Sequence, residues 1–285
     1  MATRSAPIKH LSGPSALFSS LLAMSRKEFT IMRRYPVEFL ASFGQVFAIV
    51  AIFTLAALMF SESADEFAAG TGGGVVIYGF ILFLFLSDTL WTIGYNIRRE
   101  QKQGTLEALY LSPASKFASL VSRVTNTLLW TSLLVLAGVW LMSTMLGQLP
   151  FYNPALALFI LIFALAGIFG VGFGFAAITL RIKEAGQTLA NATQFVLLIL
   201  CAYFFPFAAL PEGLLRISRL IPLSYSVDAF RSTLMGYPPG FPELAPIETE
   251  IIITVLFGLT MPVIGYLWYR NSESNVRKNG SLSEY

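Results

Sequence analysis

Long apolar runs, separated by short polar ones, set the pattern of this chain. A helix that crosses a bilayer needs about 20 mostly apolar residues. Six segments reach or approach that length: Phe39–Phe60, Val75–Tyr95, Val124–Leu146, Ala155–Leu180, Leu189–Phe205 and Ile251–Tyr269. The fifth is the shortest and runs into Pro206 and then Pro211. Proline inside a helical pattern ends or kinks it, so span five is predicted to break near the far side of the bilayer. The following stretch, Pro206–Glu250, is too long for a plain connection and too apolar for a solvated one. It reads as two short helices divided by Ile221-Pro222. Leu214, Leu215, Ile217 and Leu220 supply the apolar content of the first, and Val227, Phe230 and Leu234 form a face of the second. Short helices enter a leaflet only where protein or a wet cavity satisfies their backbone ends, and a re-entrant helical hairpin is the predicted result.

Two further segments are half polar. Pro14–Tyr35 places Phe18, Leu21, Leu22, Phe29 and Met32 near helical spacing, with the cations Arg26, Lys27, Arg33 and Arg34 alongside. This pattern predicts an amphipathic helix in the membrane interface, its cations near anionic headgroups. Arg98–Pro113, RREQKQGTLEALYLSP, falls between spans two and three. Leu106, Leu109 and Tyr110 share one helical face, while Glu100 and Glu107, seven apart, share another. Gly104 permits a bend after span two and Pro113 stops the helix. A two-faced peg at the mouth of two spans suits a cleft in a soluble partner; a helix resting on headgroups fits the same residues equally well.

Composition agrees with a lipid environment. Of 285 residues, 55% are hydrophobic and 12% charged, against about 25% charged in soluble domains. Basic residues set the orientation. All but three of the 19 Lys and Arg fall before span one, between spans two and three, between spans four and five, or after span six. The loops after spans one and three, SESADEFAAGTGGG and GQLPFYN, have no base. A multi-pass protein of the plasma membrane with both termini cytoplasmic follows. The expected organisation is a tail with the interfacial helix over 1–36, a six-helix domain over 37–270 and a second tail over 271–285. Cys201 and His10 are the only residues of their kinds, which argues against an intrachain disulfide, a Cys-based metal cluster or a His-based triad. Gly70–Gly74 lacks the pattern of a phosphate-binding loop. No enzyme activity is therefore expected of this chain.

The segment EQKQGTLEALYLSP, Glu100–Pro113, resembles the signature of the type-2 export permeases of ATP-binding-cassette transporters. IPLSYSVDAFR, Ile221–Arg231, is similar to that family's motif before its last span. The resemblance implies an all-α integral membrane fold with six transmembrane helices and a cytoplasmic coupling helix between spans two and three. It also implies that Glu100, Gly104, Thr105, Leu106, Glu107 and Leu109 contact a separate ATPase subunit, with the basic residues of the N-terminal helix adding to that contact. ATP and Mg would be bound by that partner, with no cofactor in this chain. A second permease chain, identical or similar, would complete the pathway. The cargo it points to is a hydrophobic or amphipathic small molecule, drug or lipid-like, with polysaccharide or lipid-linked glycan as the alternative.

Individual residues keep a second function in view. Asp88 is an acid deep in span two, and an intramembrane carboxylate is a functional candidate by default. It would serve an ion-coupled carrier, or else a structural hydrogen bond to a polar group such as Asn126 or Gln45; the structural role is favoured. Asp228 and Arg231, three apart, are placed to form an ion pair holding the outer hairpin, which is favoured over a substrate-facing role. Arg216 and Arg219 face an anionic substrate or headgroups. Gly170 and Gly174 form G-x-x-x-G, which suits close helix approach to another span of the same chain or across a dimer, the first being favoured. A membrane-embedded lipid enzyme would need catalytic groups clustered at one depth, and the carboxylates are scattered.

Overall fold

The computed structural model describes residues 71–102, 128–140, 150–179 and 186–278, together with Val124 and individual positions between Leu22 and Ala51. Side chains are described for 73–92 of the first segment and 188–275 of the last. The described positions between Leu22 and Ala51 are all helical. Seven α-helices follow: α1 (Thr71–Lys102), α2 (Leu128–Trp140), α3 (Pro154–Thr179), α4 (Gly186–Leu200), α5 (Glu212–Ser218), α6 (Pro222–Met235) and α7 (Ile247–Lys278). A single 3₁₀ turn, Phe207–Ala209, precedes α5.

Three of these helices are long and apolar enough to cross a membrane, over Gly73–Thr92, Pro154–Thr179 and Ile247–Asn275. They coincide with the second, fourth and sixth expected spans. Of the three, α1 is the central one, with 78% of its apolar stretch buried against 22% for α7. Around α1 pack α3, α4 and α6, while α3 and α7 share the most extensive contact of the bundle. The outward side of α7 carries Ile252, Leu256, Leu259, Val263, Ile264 and Leu267. An apolar face this continuous is stable only against lipid or another protein.

The α3–α7 seam depends on glycine. A methyl group at Gly170 would overlap the backbone of Met261 and Pro262, one at Gly258 would meet the backbone of Phe163, and one at Gly265 would meet the carbonyl of Gly170. Gly170 therefore works within the chain, letting two backbones touch. A methyl at Gly174 would meet only the Trp268 ring, at 3.3 and 3.5 Å, a tight contact with a side chain and not with backbone. Pro262 has no N–H to offer the turn before it, so α7 lacks one ladder bond where Gly170 receives it.

Span five differs from the sequence expectation. A helix over Leu189–Phe205 ending at the proline was expected, but α4 stops at Leu200. Its 15 residues rise about 22 Å, short of the roughly 30 Å hydrocarbon core. The terminator is Ala202, whose φ of 46° lies in the left-handed region. The Ala202 N–H bonds the Ile199 carbonyl at 3.1 Å and the Tyr203 N–H reaches back to Leu198 at 3.4 Å. This is a Schellman turn with alanine where glycine is the usual residue. Beyond it, two short helices lie on either side of Ile221-Pro222, but α6 is not one-sided: apart from Pro222 and Tyr225, every residue of it is buried, including Asp228, Arg231, Ser232 and Thr233. The helix α7 also continues to Lys278, past the residue 270 boundary drawn from composition.

The seam makes a direct prediction. Gly170→Val should lower the thermal midpoint in detergent by the equivalent of about 1–3 kcal/mol, the usual cost of overpacking. Gly213→Ala on α5, where nothing lies within 4 Å, should leave it unchanged. Equal midpoints for the two variants would contradict the packing described.

Candidate functional site

Where α4 unwinds, its last carbonyls lose their helical partners, and in a membrane no water replaces them. The hairpin α5–α6 supplies the missing donors. The Leu200 carbonyl accepts the hydroxyls of Ser218 (2.6 Å) and Ser224 (3.4 Å). The Ala202 and Phe205 carbonyls both accept Nη1 of Arg231, at 3.2 and 3.1 Å. Arg231 is fully buried and thus caps the unwound segment after α4, which lies 26 to 29 residues away in sequence.

The guanidinium is held on its other edges by carboxylates. Nε donates to Asp228 Oδ1 at 3.3 Å and Nη2 to Glu243 Oε1 at 2.7 Å. The Phe207 and Phe241 rings lie 4.9 and 5.4 Å from its central carbon, within cation–π range. Each acid has further work. Asp228 Oδ2 accepts the backbone N–H of Glu243 (2.7 Å) and Leu244 (2.9 Å), and Glu243 Oε2 accepts that of Ala208 (2.7 Å). Burial lifts the Glu243 carboxyl above the usual range, while the Arg231 charge and the amides of Ala208 and Phe207 pull it back. Glu250, buried in the first turn of α7, accepts the Ala245 N–H at 3.2 Å. One buried cation therefore joins the end of α4, the 3₁₀ turn, α6 and the loop before α7.

A second polar group sits within the bundle on α1. Asp88 accepts hydrogen bonds from Thr92 on its own helix (3.2 Å) and from Thr131 on α2. Trp91 donates to Gln194 on α4 at 2.7 Å. The partner of Asp88 on α2 is thus Thr131; the alternatives Asn126 and Gln45 lie outside the described residues. These bonds tie α1 to α2 and to α4.

The remaining expected residues divide by location. Glu100 belongs to the last turns of α1, which runs unbroken through it to Lys102, so any bend falls after Glu100. Gly104, Thr105, Leu106, Glu107 and Leu109 lie outside the described residues, as does Lys27. Arg26, Arg33 and Arg34 are helical and exposed. Arg216 lies 3.9 Å from Glu212 in an exposed pair, and Arg219 is exposed. Sequence reasoning paired Arg231 with Asp228 but missed Glu243. Its one signal was to be the sole acid in the Pro- and Gly-rich stretch 236–246. Gly79 was missed as well; a methyl there would overlap the Tyr203 carbonyl oxygen of the unwound segment.

Apolar helices with outward apolar faces, and a broken span whose loose backbone is satisfied by buried protein groups, define a membrane-embedded helical protein. The family model for the ABC-2 family transporter protein matches residues 58–268, and the chain belongs to that family. No curated protein matches it. The matched region takes in the Glu100–Pro113 stretch, the break in α4 and the whole Arg231 cluster.

Arg231→Ala should cost about 3–5 kcal/mol, because it strands two buried acids and two carbonyls. Arg231→Lys should recover only part of that, since an ammonium lacks the planar fork that reaches all four acceptors. Thermal unfolding in detergent measures both, and a lysine variant as stable as the parent would contradict the geometry.

Proposed function

We propose that this chain is the transmembrane permease subunit of an ATP-driven ABC exporter, working as a dimer with separate ATPase subunits. The observation that carries this reading is the family match over residues 58–268, with the coupling signature EQKQGTLEALYLSP inside it. That signature begins on α1, the most enclosed of the long helices. Closure of the ATPase pair on ATP pushes the segment after Lys102 and so moves α1 within the bundle. The partner binds ATP and Mg, and this chain supplies the pathway and the lever. Both termini face the cytoplasm of a plasma-membrane protein, as the distribution of basic residues requires. The cargo is a hydrophobic or amphipathic small molecule; the outward surfaces are apolar and the loop after span one is short.

Asp88 is assigned a structural part. Both its oxygens accept threonine hydroxyls, which leaves it tied to α2.

Reconstitution in vesicles tests the reading. With its ATPase the chain should concentrate a lipophilic dye against a gradient on adding ATP, and without it should not. Glu107→Ala should weaken ATPase binding roughly tenfold, the equivalent of about 1.4 kcal/mol, and depress transport. Asp88→Asn should cost less transport than Glu107→Ala. The reverse order of severity would instead support an ion-coupled carrier.

A further inference from the structure

The unwound segment after α4 combines three features that packing alone does not require. Ala202 holds a left-handed backbone at φ 46° although it carries a side chain, and it is fully buried. Conformations of this kind persist only where surrounding structure enforces them, and they cluster at sites that move or act. The Tyr203 carbonyl presses on α1 at Gly79, at a separation that leaves no room for a methyl group. The carbonyls on either side of that contact, those of Ala202 and Phe205, are clamped by one side chain of the outer hairpin, Arg231.

These contacts form a mechanical series. From Glu100, where the coupling signature begins, to Gly79 is a continuous helix of about 30 Å. At Gly79 the helix touches the unwound segment backbone to backbone, with no flexible side chain between them to absorb displacement. Through Arg231 that segment is bonded to α6, and through the Ser218–Leu200 and Ser224–Leu200 hydrogen bonds to the end of α5 and the start of α6. Asp228 and Glu243 carry the connection on to the 3₁₀ turn and the loop before α7.

We propose that Cys201–Pro206 is the transmission joint of the permease: it receives the movement of α1 at Gly79 and passes it through Arg231 to the outer hairpin α5–α6. This rests on the reading of the chain as an ATP-driven permease. Gly79 and Ala202 are then positioning residues. Glycine at 79 sets how closely rod and joint meet, and alanine at 202 keeps the joint stiff in a shape that glycine would hold loosely.

The test uses the full chain with its ATPase in lipid discs. Leu220→Cys, on the α5–α6 hairpin and 81% exposed, carries an environment-sensitive fluorophore, and the native thiol of Cys201, fully buried, is left in place. The parent should show a fluorescence shift on binding a non-hydrolysable ATP analogue. Gly79→Ala should lose that shift while the complex still assembles and hydrolyses ATP. Ala202→Gly, which relieves backbone strain and so folds at least as well, should reduce the shift too. Gly213→Ala, on α5 but in open space, should keep it. An undiminished shift in Ala202→Gly overturns the joint, even if Gly79→Ala fails to fold. A parent that hydrolyses ATP without moving the reporter also overturns it. A chain that binds no ATPase overturns the permease reading itself, and the joint falls with it.

Discussion

A peptide group taken into hydrocarbon without a partner costs several kcal/mol, and this requirement organises the end of the bundle formed by α5, α6 and the loop before α7. The helix α4 is shorter than a hydrocarbon core is thick, and its unwound end leaves carbonyls inside the bundle without helical partners. The guanidinium of Arg231 supplies donors to two of them and the hydroxyls of Ser218 and Ser224 serve a third. Burying that cation then requires acids, which come from Asp228 and Glu243. The acids in turn fix the loop before α7 by accepting its backbone N–H groups. One unmet need thus propagates through four segments.

The same constraint explains why α6 looks unlike an interfacial helix. A helix resting on headgroups would keep a polar face in water. Here Ser224, Ser226, Asp228, Arg231 and Ser232 are buried along with the apolar residues, because α1, α3 and α7 surround α6 and its polar groups find protein partners. Thr254 of α7 donates to Ser226 at 3.1 Å, a further tie of this type. Beneath this cap the bundle is held by different means. Glycines let α3 and α7 meet backbone to backbone, and the hydrogen bonds of Asp88 and Trp91 fasten α1 to its neighbours.

Much of this was legible in the sequence. Runs of apolar residues located the long helices over Gly73–Thr92 and Pro154–Thr179 to within three residues and the one over Ile247–Asn275 to within six. Ile221-Pro222 marked the division of the hairpin because proline suits a first helical position. Gly170 was readable as a packing residue within the chain. Three things were not legible. The end of α4 is set by Ala202 in a conformation that alanine seldom adopts, so Pro206 looked like the terminator. Glu243 meets Arg231 across 12 residues of loop, and no periodic rule connects them. Gly79 sits in an apolar span like any small residue, and its importance comes from the Tyr203 carbonyl, more than 120 positions away.

The central claim is that a single buried arginine closes the broken span. Hydrogen–deuterium exchange on the assembled protein, comparing the parent with Arg231→Met, tests it most directly. The account predicts that amides of the segments 201–209 and 241–245 exchange faster together, because losing the guanidinium releases both, while the α3–α7 seam stays protected. Unchanged exchange at 201–209 would mean that the break is held by something else, and would contradict the account.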